Sequence, residues 1–185
     1  MKSVMISIRP KWCRLIANGK KTVEVRKTKP KIEIPFRCYI YCTNAAPYLV
    51  YGDRFDGGSF VSQYEMLHGY SREDAVKIWG EVLNGKVIGE FVCDLITGLK
   101  ANNQIQAYYN GTQGTCLSPA DIVIYAAGKM IYYWRISDLV IYDKPKELSE
   151  FRSYNPRVIW EEGYPLPTHA IQRPPQSWCY VEEVE

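Results

Sequence analysis

Gly19-Lys20-Lys21-Thr22-Val23-Glu24-Val25-Arg26-Lys27 is the stretch whose reading decides the fold. Val23 and Val25 alternate with Thr22, Glu24 and Arg26, the period-two pattern of a strand with one apolar and one polar face. Just upstream, residues 9–18 carry Trp12, Leu15 and Ile16 at i, i+3 and i+4, the spacing of a short helix. Pro10 suits its first turn, where a missing N–H leaves no bond unmade. Gly19 stands where a helix takes a left-handed stop. A helix therefore empties into a half-buried strand with Lys21 at the joint. Val23 and Val25 are expected inside, and Glu24 and Arg26 on the outward face.

Working outward, residues 1–8 alternate weakly and read as a strand, with Val4, Ile6 and Ile8 on one face. Thr28-Lys29-Pro30-Lys31 breaks the signature strand, because proline cannot donate to a ladder. Residues 36–43 are β-rich, with Phe36, Cys38, Ile40 and Cys42 on one face. Residues 44–70 are irregular and rich in glycine, which suggests loop. Tyr48, Tyr51, Phe55, Phe60 and Tyr64 argue that this loop is ordered and lies over the barrel or the cleft. Ser71-Arg72-Glu73-Asp74 has capping-box spacing and opens a helix. Its expected buried stripe is Ala75, Ile78, Trp79 and Val82, and Asn84-Gly85 is its expected end. Residues 86–96 read as a strand in which Gly89 marks a bulge or a close approach. Residues 99–116 read as loop, and Ser118-Pro119-Ala120-Asp121 opens another helix, closed by Gly128. Residues 132–142 read as one strand, 149–154 as irregular, and 178–181 as the last strand. Many short strands with few helices favour a closed or nearly closed barrel. The expectation is one domain over residues 1–185, mixed α+β and mainly β, with an insertion at 44–85.

A chain of 185 residues is long enough for one domain with a sizeable core. Its 46% hydrophobic and 23% charged content is that of a soluble globular protein. No apolar run approaches the roughly 20 residues of a membrane helix. The N-terminus lacks the apolar stretch of a signal peptide, so a cytoplasmic location with no membrane association is expected. Cys13, Cys38, Cys42, Cys93, Cys116 and Cys179 form no C-x-x-C pair, and His68 and His169 are the only histidines. Reduced thiols acting as small hydrophobes are expected, with no metal and no cofactor. Residues 1–40 hold eleven Lys and Arg against Glu24 and Glu33, a net +9. The whole chain carries +3, leaving −6 for residues 41–185. A basic end around a helix–strand joint suits an anionic partner if the charges share a face.

The spacing Gly19-x-Lys21-x-x-Glu24-x-Arg26 resembles the G-x-K-x-x-E-x-R signature of ASCH domains, in the PUA-like superfamily. Residues 7–11 (Ser-Ile-Arg-Pro-Lys) are similar to the lead-in of that family. Residues 85–91 and 175–181 also look like ASCH segments. The resemblance covers 1–43 and 86–185 and is weakest over 44–85. It implies a PUA-like β-barrel with short flanking helices beside a cleft, and binding of RNA or a nucleotide-like small molecule. One bacterial branch resembles an amidase for acetylated cytidine, in which the motif lysine partners a threonine at the sixth position. Here that position is Glu24, so the nucleophile of that branch is absent.

The residues themselves leave three function classes open. In the first, Ser7, Arg9, Lys21, Thr22, Glu24 and Arg26 bind RNA or a nucleotide. Lys21 and Arg26 then meet phosphate, Glu24 accepts from a base amine, and Tyr108 and Tyr109 stack on bases. In the second, the chain is a hydrolase of a modified nucleoside or RNA, with Lys21 and Glu24 as catalytic acid and base. In the third, the tyrosine-rich insertion makes it a protein-interaction module. Trp12 is read as core and Trp178 as closing the barrel. No Walker loop, dinucleotide fingerprint, H-E-x-x-H or G-x-S-x-G occurs.

Overall fold

The computed structural model describes residues 3–100, 111–154 and 168–183. Three α-helices lie among them: α1 (Pro10–Ala17), α2 (Arg72–Trp79) and α3 (Pro119–Ala126). The strands are β1 (Ser3–Ile8), β2 (Val23–Arg26), β3 (Phe36–Cys42), β4 (Tyr48–Asp56), β5 (Ser59–Leu67) and β6 (Val87–Cys93). They continue with β7 (Ile96–Lys100), β8 (Met130–Arg135), β9 (Ser137–Lys146), β10 (Phe151–Tyr154), β11 (Thr168–Ala170) and β12 (Trp178–Glu183).

Seven strands form one sheet in the order β11-β10-β12-β1-β3-β6-β9. β1 and β3 pair in parallel, which requires a crossover, and α1 with β2 supplies it. A three-stranded sheet, β2-β8-β7, lies apart from the large one. The expected barrel is not formed: the large sheet ends at β11 and β9 without joining them, so the mixed, mainly-β fold has open sheets. Closure is replaced by packing. Trp134 of β8 meets Phe36 of β3 edge-to-face at 5.8 Å and joins the core made by β1, β3, β6 and α1. The other face of the large sheet buries Met5, Tyr39, Tyr41, Phe151 and Val181. β1 is consequently buried along its whole length.

The signature strand keeps its alternation. Val25 packs against Ile122 and Ala126 of α3, with Val23 beside them. The opposite face does not meet open water, because it points toward β1, where Arg26 donates to the Ser7 carbonyl at 2.7 Å. Residues 44–85 depart most from the sequence reading. β4 and β5 form a nine-pair antiparallel hairpin. Its turn is Gly57-Gly58, both at positive φ, as a two-residue hairpin turn demands. The glycines thus punctuate strands and do not dissolve them. α2 is capped by Ser71 as the spacing predicts, but it ends at Gly80, whose φ of +79° stops it. Of the expected stripe, Ala75 and Val82 are buried in one cluster, Val82 beyond the helix end, while Ile78 (57%) and Trp79 (36%) are exposed. Asn84 is a buried lock, accepting from the Leu49 N–H at 2.7 Å and donating to Ala45 O. Residues 132–142 split into two strands serving different sheets, 151–154 pair as β10, and 96–100 pair as β7. At Gly89 the close approach is real: a Cβ there would collide with the Val140 carbonyl.

The six cysteines are free thiols. Cys13, Cys38, Cys42 and Cys93 are buried in one core cluster. Burial holds the Cys13 and Cys38 thiols well above their ordinary value and pushes Cys93 up to about 12 and Cys179 to about 11. Cys116 alone of the six is exposed. Because the thiolate is the reactive form, thiol titration near neutral pH should find one fast group in the native protein and six after denaturation without reductant. Cys116→Ser should abolish the fast group. A native count of four or more, or a denatured count of four or fewer, would contradict this core.

Candidate functional site

Gly19, at φ +69°, ends α1 and turns the chain so that Lys21 points inward. The Lys21 side chain is 3% exposed. Its ammonium donates to Val23 O and Thr115 O, both at 2.8 Å, and lies 3.3 Å from Glu24 Oε2. Two of the ammonium's three protons thus go to backbone carbonyls, and the Glu24 carboxylate stands beside it as an ion pair. The Glu24 side chain, 9% exposed, is held from its other side by Arg26, whose Nε lies 3.0 Å from Oε1. That contact is an ion pair whose angle falls short of a hydrogen bond. Arg26 also reaches Ser7 O and, at 3.5 Å, Ser177 Oγ. The expected outward pair is therefore a buried triad of two cations and one anion, fixed between two sheets.

The triad forms one wall of a cavity of about 650 Å³. Ser7, Arg9, Trp12, Thr43, Tyr125 and Pro175 also line it. They come from β1, from α1 and its cap, from the turn after β3, from α3 and from the segment before β12. Ser7 is at the end of β1, where its hydroxyl donates to Pro175 O at 2.6 Å and its N–H to Ser177 O. That contact follows from the β1–β12 register, which sets Ile6 opposite Trp178. Thr43 follows β3 and donates its N–H to Ile8 O. Its hydroxyl is buried and has no hydrogen-bond partner among the described residues. Arg9 is exposed and caps α1 without a side-chain bond. Trp12 is half-buried, with Lys11 and Lys21 ammoniums 4.7 and 5.4 Å from its ring centre.

The facing wall is α3. Its N-cap Ser118 and Asp121 form the reciprocal capping box. Those Ser118 bonds hold the Asp121 carboxyl below its ordinary value. Burial pushes the Tyr125 phenol up, with Arg26 pulling it down and Glu24 pushing it up, so it stays a hydrogen-bond donor at neutral pH. Gly114 O accepts from the Thr22 and Val23 N–H groups, clasping the segment before α3 onto β2. A Cβ on Gly114 would collide with Thr22 Oγ1.

The structure thus brings Ser7, Arg9, Lys21, Glu24 and Arg26 around one cavity. Thr22 is exposed and faces the Gly114 loop, outside the cavity lining. Tyr108 and Tyr109 lie outside the described residues. Trp178 donates its indole N–H to Thr28 Oγ1 and packs on Trp134, away from the cavity. Sequence reasoning missed Thr43, Tyr125 and Pro175, because only the strand register and the clasp place them there. Among the described residues no group of three or more Asp, Glu, His or Cys side chains is arranged to hold a metal ion. None of the described helices is long and apolar enough to cross a membrane.

Breaking a buried ion pair by removing one partner costs about 3–5 kcal/mol. Lys21→Met should lower stability by that amount, read as a lower denaturant midpoint at unchanged slope. Lys20→Met, at an exposed neighbour, should stay within about 0.5 kcal/mol. Equal effects of the two substitutions would show that the triad holds nothing together.

No protein-family model matches the chain, and no curated protein matches it. Solved structures do. The crystal structure of ASCH from Zymomonas mobilis superposes at a TM-score of 0.56 with 19% identity, covering 100% of this chain and 99% of that one. A Tyr-to-Phe variant of the Z. mobilis protein gives 0.57 at 19% identity, over 98% of this chain and 91% of that one. A Ser-to-Ala variant gives 0.56 at 18%, over 98% and 89%. Near-complete coverage in both directions, with mainly-β topology around the cleft, establishes that this chain has the ASCH-domain fold.

Proposed function

We propose that the cavity binds a nucleotide, free or as one unit of an RNA, with its base against Glu24. The observation that carries this reading is a buried carboxylate held in place by two cations on the wall of a nucleotide-sized cavity. About 650 Å³ lies within the range of small-molecule sites. Glu24 spends one direction of each oxygen on Lys21 and Arg26 and keeps others to accept from a base amine. The Thr43 hydroxyl, buried without a protein partner, supplies a second polar contact. Trp12 and Tyr125 offer ring faces for stacking, worth about 1–3 kcal/mol per base. Arg9 and Lys11 stand at the cavity where a phosphate would leave it. The two carbonyls and the carboxylate around the Lys21 ammonium favour binding over hydrolysis, since they hold it as a fixed structural cation.

Calorimetry with the four nucleoside 5′-monophosphates, with product analysis of the same samples, tests this. At least one should bind without turnover. Glu24→Gln should weaken it by about tenfold or more, the loss of a charge-assisted bond. Trp12→Leu should weaken all four alike. Absence of binding by every monophosphate would remove the nucleotide reading. Turnover by the wild type, lost in Glu24→Gln, would make the chain a hydrolase.

A further inference from the structure

Lys27, Lys29 and Lys31 follow the signature strand at every second position, and the nucleotide pocket makes no use of Lys29 or Lys31. All three are exposed, while Pro30 between the last two is buried. The backbone that carries them is fixed from below. Thr28 Oγ1 accepts the Trp178 indole N–H at 3.0 Å, and the Lys31 N–H donates to the Tyr180 hydroxyl at 2.8 Å. Two of the ammoniums lie over rings, Lys27 at 5.0 Å from Tyr125 and Lys29 at 5.6 Å from Tyr132. Tyr125 belongs to the pocket wall, and Tyr132 sits opposite Arg26 in the β2–β8 register. No ion-pair partner is found for the three lysines among the described residues; of the flanking acids, Glu24 is held by Lys21 and Arg26, and Glu33 is exposed two residues after Lys31.

From this we infer that Lys27, Lys29 and Lys31 form a phosphate track leading out of the pocket, whose occupant is a single RNA strand with one base in the pocket. The inference rests on the nucleotide reading of the cavity and extends it from a free nucleotide to a strand. The three cations stand at alternate positions of one short exposed segment beyond β2, and two of them lie over rings. Cations interleaved with rings match a flexible polyanion with stacking bases. An anionic membrane would be met by a wider basic face with apolar anchors.

Fluorescence anisotropy decides it, with a labelled random-sequence RNA decamer, the four nucleoside monophosphates, and vesicles of mixed phosphatidylcholine and phosphatidylserine. The variant is Lys29→Gln/Lys31→Gln, which leaves the pocket wall untouched. The decamer should bind wild type more tightly than any monophosphate. In the variant its log–log salt slope should fall by roughly 1.4, about 0.7 for each lost contact on a single strand, while monophosphate affinity stays within twofold. Monophosphate binding with no gain for the decamer, or a decamer slope unchanged in the variant, overturns the track and leaves the pocket reading standing. Vesicle binding lost in the variant, with decamer binding retained, overturns it in favour of a membrane surface. If neither monophosphate nor decamer binds, both readings fall.

Discussion

An ammonium sealed from water needs acceptors, and Lys21 finds them on Val23 at the start of β2 and on Thr115, 94 residues away in sequence. That requirement joins the helix–strand turn to the segment leading into α3. It also leaves Glu24 charged and aimed, since the same ammonium and Arg26 hold its two oxygens. Desolvating two cations and one anion is costly unless each has partners. The partners here come from β1, β2 and the 111–118 segment, so the large sheet, the small sheet and α3 must assemble together for the triad to exist. The open architecture follows: the sheets are held by Trp134, by the triad and by the Gly114 clasp, and strand closure is not needed.

The cavity is a by-product of this joining. β1 ends at Ile8 while α1 starts two residues later at Pro10, and the chain before β12 passes back across Ser7. A gap remains between that corner and α3. Its floor is ionic and its sides carry rings, a combination that suits a ligand with a polar edge and flat faces. The basic character of residues 1–40 is distributed accordingly. Lys21 and Arg26 are interior and structural, and Lys27, Lys29 and Lys31 remain outside with their charges unspent.

Much of the site was legible in the sequence because its elements are local. Pro10, Gly19 and the Val23/Val25 alternation define the helix, the turn and the strand, and the Ser118–Asp121 box defines the start of α3. Period two says which residues share a face but not what that face meets. Glu24 and Arg26 therefore read as outward, although β1 covers them. The β4–β5 hairpin was hidden because its Gly57-Gly58 turn and in-strand Gly52 resemble loop. The α2 stripe was overdrawn because Ile78 and Trp79 fit the helical period but stay exposed in the last turn before Gly80 ends the helix. Thr43, Tyr125 and Pro175 have no sequence signal, since only long-range register brings them to Ser7 and Glu24.

Amide shifts of the isotope-labelled protein, followed while a random-sequence RNA decamer is added, test the site most directly. The largest changes are expected at Ser7, Arg9, Trp12, Glu24, Thr43 and Tyr125, with the hairpin over 48–67 unmoved. Changes confined to that hairpin, or none at all in low salt, would contradict the cavity as the place where this protein meets its ligand.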